Sequence, residues 1–438
     1  MKIVIEGGIP LRGAVEVRGA KNSALPILAA TLLTDRPCTI RNVPNVGDVA
    51  TMLQILAHLG VQCERGDDGS LNVHTVDAEP FTAPYEYVSQ MRASICTLGS
   101  LLARRGRARV ALPGGCQIGD RPIDLHLRGL AALGADIHVS HGYIEAEASE
   151  LRGTSIYLGG PFGSTVLGTA NVMMAAVLAK GTTVIEAAAC EPEVADLANF
   201  LNSMGARIRG MGSHRIVVEG VRELDGAEHK IIPDRIEAGT LLVAGAITRG
   251  DVLVKNAEPQ HLGAVIEVLR EAGLHLAVAP DSVRVTGNGS FHPVDVTTLP
   301  YPGFPTDLQA QIMALLSLAD GISVITEKIY PDRFIHISEL RRMGAVIRKE
   351  GPSAIVSGVK KLSGAPVMAS DLRASASLVL AGLVASGVTE VYCIQHLDRG
   401  YERIEERLAS LGAVIRREAD ARAESAQPVL PEAEFVQG

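Results

Sequence analysis

Two kinds of apolar pattern alternate along this chain. From Thr169 to Ala179 nearly every side chain is small or apolar, which predicts a helix buried on all sides. Thr182–Ala187 is β-branched and alternating, the pattern of a strand. From Glu191 to Met204 the apolar residues fall at 194, 197, 198 and 201, the spacing of a helix with one buried face. Lys180-Gly181 ends the first helix and Gly205 ends the second, since glycine takes the left-handed conformation that closes a helix. A further strand starts at Ala206–Ile208.

The second helix ending recurs. It reads Leu-Gly-Val at 59–61, Leu-Gly-Ala at 133–135, Met-Gly-Ala at 204–206, Ala-Gly-Leu at 272–274, Met-Gly-Ala at 343–345 and Leu-Gly-Ala at 411–413. Successive glycines lie 74, 71, 68, 71 and 68 residues apart. So regular a period predicts one structural unit built six times. Stops for the first helix of each unit fall at Gly106, Gly181, Gly250, Gly321 and Gly387, with Asp35-Arg36-Pro37 in that role in the first unit. The repeated order is βαβαββ. Three units make a comfortable domain, so the expected division is two lobes. Residues 20–231 form the first. Residues 1–19 plus 232–418 form the second, closed by N-terminal strands at 2–6 and 14–18. The tail 419–438, rich in Ala, Glu and Pro, is expected to be disordered.

Composition sharpens this picture. Hydrophobic residues make up 47% and aromatics 3%, with no Trp, so the core must be built from closely packed small helices. A net charge of −8 argues against nucleic acid as a partner. The six cysteines (38, 63, 96, 116, 190 and 393) form no Cys-x-x-Cys pair, which argues against structural zinc and a disulfide framework and suits a reducing cytoplasm. No His/Asp/Glu cluster has metal-ligand spacing, so neither metal nor cofactor is expected. The start, Met1–Gly8, alternates like a strand and lacks a signal-peptide core, and no apolar run has the length of a membrane span.

Candidate chemistry gathers at the starts of the first helices. Polar clusters stand there: Gly19-Ala-Lys-Asn22, Gln90-Met-Arg-Ala93, Pro233-Asp-Arg-Ile236, Pro305-Thr-Asp-Leu308 and Ser370-Asp-Leu-Arg373, with Gly163-Ser-Thr-Val166 as the odd member. Asp, Asn and Ser cap helices well, which is one reading. Unpaired N–H groups also make a helix start a site for anions, which is the other. Lys21, Arg92 and Arg235 oppose the helix dipole, so an anionic ligand is expected to account for them. The loop Leu112–His126 holds three glycines in six residues around Cys116. That lets its backbone approach a ligand closely, and Arg121 favours the thiolate. An incidental cysteine in a tight turn is the plain alternative. His126 reads as a helix-start residue, and His336 and His396 are ambiguous. Gly7-Gly8 and Gly159-Gly160 read as turns.

Together these segments resemble the enolpyruvyl transferases, above all the branch acting on UDP-N-acetylglucosamine. The resemblance runs over about residues 1–417. Its carriers are Gly19–Ser23, Met91–Ser94, the Pro113–His126 loop, Ile232–Gly239, Pro302–Gln311, Ala369–Ser375 and Leu397–Tyr401. It implies an α/β fold, an inside-out α/β barrel in two lobes. It also implies a reaction in which phosphoenolpyruvate and UDP-N-acetylglucosamine give an enolpyruvyl ether and phosphate. Carried over by motif, Lys21 and Asn22 contact both substrates, and Arg92, Arg121 and Arg399 hold phosphate and carboxylate oxygens. Cys116 is the acid and Asp307 the base at the sugar 3-hydroxyl. Asp371 and Arg373 belong to the catalytic neighbourhood. Arg121, Pro122, Ile123, Asp124 and Leu125 line the uridine and diphosphate side, and Thr165, Val166 and Ile329 contact the nucleotide sugar. Three segments depart from the family's usual runs: Thr165-Val-Leu-Gly-Thr169, Tyr330-Pro-Asp-Arg-Phe334 and Ile394-Gln-His-Leu397. The alternatives are a transferase that uses shikimate 3-phosphate as acceptor and a non-catalytic nucleotide-sugar binding repeat protein.

Overall fold

The computed structural model describes residues 1–114, 122–287 and 289–420. Cys116 and Arg121 lie outside the described residues, as does all but the first two residues of the 419–438 tail. Among the described residues there are six four-stranded sheets, one for each repeat. Each has the same order. In the second unit Thr82–Ala83 runs parallel to Arg107–Ala111, which pairs antiparallel with Tyr143–Glu147, which pairs antiparallel with Asp136–Ser140. No sheet closes on itself among these residues; three separate sheets surround each lobe.

The first helix of each unit lies inside. In Arg235–Ile247 every side chain from Ile236 onward is buried, and Leu372–Val384 is buried from Leu372 to Leu383. That explains why these stretches carry no polar face. Two apolar cores result. One gathers residues between Ala20 and Ile231, the other Ile3–Val17 and residues from Ile236 to Ile415.

The chain threads between them in an unusual way. Lys2–Glu6 fills the middle of the sixth sheet, between Val388–Tyr392 and Val414–Glu418. Arg12–Glu16 supplies the outer parallel strand of the fourth unit, beside Asp251–Lys255. Glu228–Lys230 supplies that strand for the first unit, beside Cys38–Arg41. The two crossings lie side by side: Ala20 N–H donates to the Ile232 carbonyl at 2.7 Å, and Asp234 N–H to that of Arg18 at 2.8 Å. Gly19 is required here, because a Cβ would stand 1.8 Å from the Asn42 carbonyl oxygen.

All six second-helix glycines have left-handed φ, from +81° at Gly60 to +102° at Gly134. Some boundaries differ from expectation. The helix expected at 169–179 spans Val166–Ala176, because the Thr165 hydroxyl caps it by accepting from Gly168 N–H at 3.2 Å. At Gly250 the positive φ belongs instead to Arg249 (+51°); Gly250 is small because a Cβ would meet the Leu11 carbonyl oxygen at 2.1 Å.

Candidate active site

The starts of the first helices converge on the seam between the lobes. Lys21 opens Lys21–Ala30, and its Nζ donates to Asp48 Oδ2 at 2.9 Å. Asp48 stands at the start of Gly47–His58, in the first lobe. Its other oxygen accepts from Arg399 Nε, in the second lobe, at 2.8 Å. Burial pushes the Asp48 carboxyl up, but Lys21 and Arg399 outweigh burial and hold it below the usual carboxylate range. Gly47, Asp48, Ser370, Asp371, His396 and Arg399 line a cleft of about 620 Å³ beside this triad.

Asp307 is the second centre. It is the middle residue of the 3₁₀ turn Thr306–Leu308 that leads into Gln309–Leu316, yet its side chain caps neither. Arg333 Nη1 donates to Oδ1 at 2.8 Å, and Oδ2 accepts from Arg373 Nη2 and Asn22 Nδ2, each at 3.3 Å. Burial raises its pKa, but Arg373, then Arg333 and Lys21, pull it well below the ordinary value, so it is ionised. Arg373 is itself buried, with its guanidinium 5.2 Å from the Tyr401 ring centre. The Tyr401 hydroxyl is bonded to Thr240 and accepts from Gln311. A buried carboxylate, Glu327, braces the same corner. It accepts from the hydroxyls of Thr298 and Thr306 and from the N–H groups of Ile329 and Tyr330.

The structure thus brings Lys21, Asn22, Asp307, Arg373 and Arg399 into two linked ion-pair centres. Asp371 borders the cleft, and its Oδ1 caps Leu372–Val384 by accepting from Arg373 and Ala374 N–H. Arg92 begins the turn Arg92–Cys96 at the matching point of the second unit. Pro122 and Ile123 lead into Asp124–Ala132, where Leu125 packs on Gly160 of the hairpin Gly159–Gly160/Gly163–Ser164. The Thr165 hydroxyl is occupied as a helix cap, and Val166 packs on the first core. Ile329 is held by Glu327.

One expectation is corrected. Arg235 needs no anionic ligand: it is buried against Glu193 across the seam, at 2.9 and 3.3 Å. Lys21 likewise has a protein carboxylate, Asp48. Sequence reasoning missed Asp48, Arg333 and Glu327, and it left the buried His336 ambiguous. Only Asp48 carried a local signal, an acid directly after the glycine that opens a helix. Four of the described cysteines, Cys38, Cys63, Cys96 and Cys190, are poor thiolates. Burial pushes Cys96 up to about 12 and Cys63 to about 11, and it raises Cys38 and Cys190. Among the described residues no group of His, Cys, Asp and Glu is arranged to hold a metal ion, and no helix is long and apolar enough to cross a membrane.

Two three-unit lobes with an ionised carboxylate and clustered cations at their seam define a class, a two-lobed α/β transferase for anionic substrates. The sequence matches the family described as EPSP synthase (3-phosphoshikimate 1-carboxyvinyltransferase) over residues 5–408. It is 55% identical over 416 residues to a UDP-N-acetylglucosamine 1-carboxyvinyltransferase of Methylacidiphilum infernorum, covering 95% of this chain and 98% of the relative. It is 56% identical over 420 residues to the enzyme of that name from Myxococcus xanthus, covering 95% and 99%. The fold matches the enolpyruvyl transferase NikO from Streptomyces tendae with a TM-score of 0.85 at 25% identity, over 95% of this chain and 98% of that one. It also matches EPSP synthase from Acinetobacter baumannii with a TM-score of 0.72 at 18% identity, over 95% and 99%. The chain belongs to the EPSP synthase family of enolpyruvyl transferases.

Proposed function

We propose that the chain transfers the enolpyruvyl group of phosphoenolpyruvate to the 3-hydroxyl of UDP-N-acetylglucosamine, with release of phosphate. This is the committed step of peptidoglycan synthesis, hence of cell-wall biogenesis, and its substrates place it in the cytoplasm. The observation that carries the reading is Asp307, an ionised carboxylate left uncapped at the seam beside Lys21, Asn22, Arg333 and Arg373. The high identity to the 1-carboxyvinyltransferases supports the acceptor.

Lys21, Arg92, Arg121 and Arg399 bind the phosphate and carboxylate of phosphoenolpyruvate, for which arginine's planar fork is well shaped. Asn22, Pro122, Ile123, Asp124, Leu125, Thr165, Val166 and Ile329 border the nucleotide sugar. Asp307 takes the proton of the 3-hydroxyl as its oxygen bonds to C2, while Cys116 delivers a proton to C3. The tetrahedral intermediate then breaks its C2–O bond to phosphate, and C3 gives a proton back. Positive charge developing at C2 is offset by Asp307 and Asp371, and the leaving phosphate by the cations. Arg333 and Arg373 make Asp307 a weak base as it stands. An acceptor that displaces Asn22 and Arg373 from Oδ2 raises its basicity. The lobes, 20–231 and 1–19 plus 232–418, close on the substrates about the paired crossings at Gly19 and Pro233.

The test is phosphate release from phosphoenolpyruvate with each acceptor. Release is expected with UDP-N-acetylglucosamine. Release with shikimate 3-phosphate instead, or with neither, overturns the reading. The epoxide fosfomycin is expected to alkylate Cys116, and peptide mass spectrometry finding another cysteine modified overturns the loop assignment.

A further inference from the structure

Behind the seam, on the far side of Arg399, lies a group of charges that the reaction does not use. Arg417 sits on the last strand, Val414–Glu418, opposite Ile3 of the N-terminal strand. Its guanidinium forks onto both oxygens of Asp398, at 2.8 and 2.9 Å. The same group donates to both oxygens of Glu405, at 2.9 and 3.1 Å. Asp398 ends the helix Gln395–Asp398, and Glu405 lies in the first turn of Ile404–Ser410. Arg417 therefore ties together the two ends of the segment 398–405.

The apex of that segment is what the second lobe presents to the first. Asp48 N–H donates to the Arg399 carbonyl at 3.3 Å, and Arg399 Nε to Asp48 Oδ1 at 2.8 Å. Asn45 N–H donates to Glu402 Oε2 at 2.9 Å. A four-residue helix has too few internal hydrogen bonds to hold its own shape. Arg403 is bent into the left-handed region, with φ of +43°, which a side chain adopts only when its surroundings impose it. The apex thus depends on an outside brace, and Arg417 is that brace.

We propose that Arg417, acting through Asp398 and Glu405, is a positioning residue that sets Arg399 at the phosphoenolpyruvate subsite. This rests on the reading of Arg399 as an anion-binding residue given above. Lysine keeps the charge of Arg417 but cannot fork onto two carboxylates.

The experiment measures KM for each substrate by phosphate release, using the full chain. Arg417→Lys is expected to raise KM for phosphoenolpyruvate about tenfold while leaving that for UDP-N-acetylglucosamine nearly unchanged. Asp398→Asn, which keeps volume and weakens the fork, gives the same one-sided rise and serves if the first variant folds poorly. Because the brace acts through Arg399, Arg417→Lys combined with Arg399→Lys is expected to be no worse than Arg399→Lys alone. An unchanged KM in both Arg417→Lys and Asp398→Asn, with a raised one in Arg399→Lys, overturns the brace and leaves the function standing. Equal losses on both substrates that add to those of Arg399→Lys reduce Arg417 to general stability and also overturn it. No effect of Arg399→Lys removes the anion-site assignment and the brace together.

Discussion

Asp234, Asp307 and Asp371 stand at the same point of three successive units, just ahead of a buried first helix, yet they do different work. Asp234 accepts from Ile236 and Glu237 N–H, and Asp371 from Arg373 and Ala374 N–H, so each caps its helix. Asp307 caps nothing. It lies inside a 3₁₀ turn that precedes its helix, and its oxygens meet Arg333, Arg373 and Asn22 instead. One inserted turn converts a structural cap into a charged group facing the seam. The repeat supplies the position, and the local departure from it supplies the seam-facing charge.

The largest effect that tests this contrast is on turnover. Asp307→Asn keeps the shape and removes the proposed base, so kcat is expected to fall about a thousandfold. Steady-state phosphate release checks it. A loss of only a few-fold would make Asp307 another structural residue and dissolve the comparison.

Asp48 extends the contrast to a carboxylate that does both jobs, since it is buried and pairs with a cation from each lobe. Asp48→Ala leaves Lys21 and Arg399 without their shared counter-charge, which costs about 3 kcal/mol by the usual penalty for breaking a buried pair. Denaturant unfolding reads the stability, and the KM for phosphoenolpyruvate is expected to rise with it. Loss of stability without a change in KM would confine Asp48 to holding the lobes.

These residues also mark how far the sequence could be read. The six glycine endings were legible because few other residues adopt a left-handed φ so readily, and the same holds for the βαβαββ order that they punctuate. Asp307, Lys21, Asn22, Arg373 and Arg399 were legible through motif resemblance. Asp48 was not, because its partners lie 27 and 351 residues away. Arg235 was misread for the same reason: Glu193 neutralises it from 42 residues upstream, on the other lobe. Local spacing reports helix faces and turns. It does not report which charges meet once two lobes are docked, and most of this site is made of such meetings. The N-terminal strands were assigned to the second lobe, but their separation into the sixth and fourth sheets became visible only through pairing registers.

A smaller effect is expected on the capping side of the comparison. Asp234→Ala removes the acceptor for two helix N–H groups and for Lys21 N–H, costing about 1 kcal/mol. Turnover is expected to stay within a few-fold of the wild type. A collapse of kcat comparable to that of Asp307→Asn would show that the two aspartates are not separated as their hydrogen bonds indicate.

The mildest test concerns His336, buried near Asp371 and Arg333, and it appears only on acidification. Burial, with a smaller push from Arg333, lowers its pKa from 6.5 to about 4, although Asp371 acts the other way. The sign follows from proton binding. Between pH 6.5 and about 4 the unfolded imidazole takes up a proton that the folded one does not, so stability falls as the pH falls through that window. Above pH 6.5 neither state is charged, and this contribution is flat. His336→Asn cannot titrate, so its unfolding free energy should decline less steeply than that of the wild type between pH 6.5 and 4. Asp307 sets the contrast again. Its pKa is held well below the ordinary carboxylate value, so the stability it contributes is lost only at lower pH, beneath the histidine window. Parallel slopes for wild type and His336→Asn across that window would mean that the imidazole is charged in the fold, paired with Asp371.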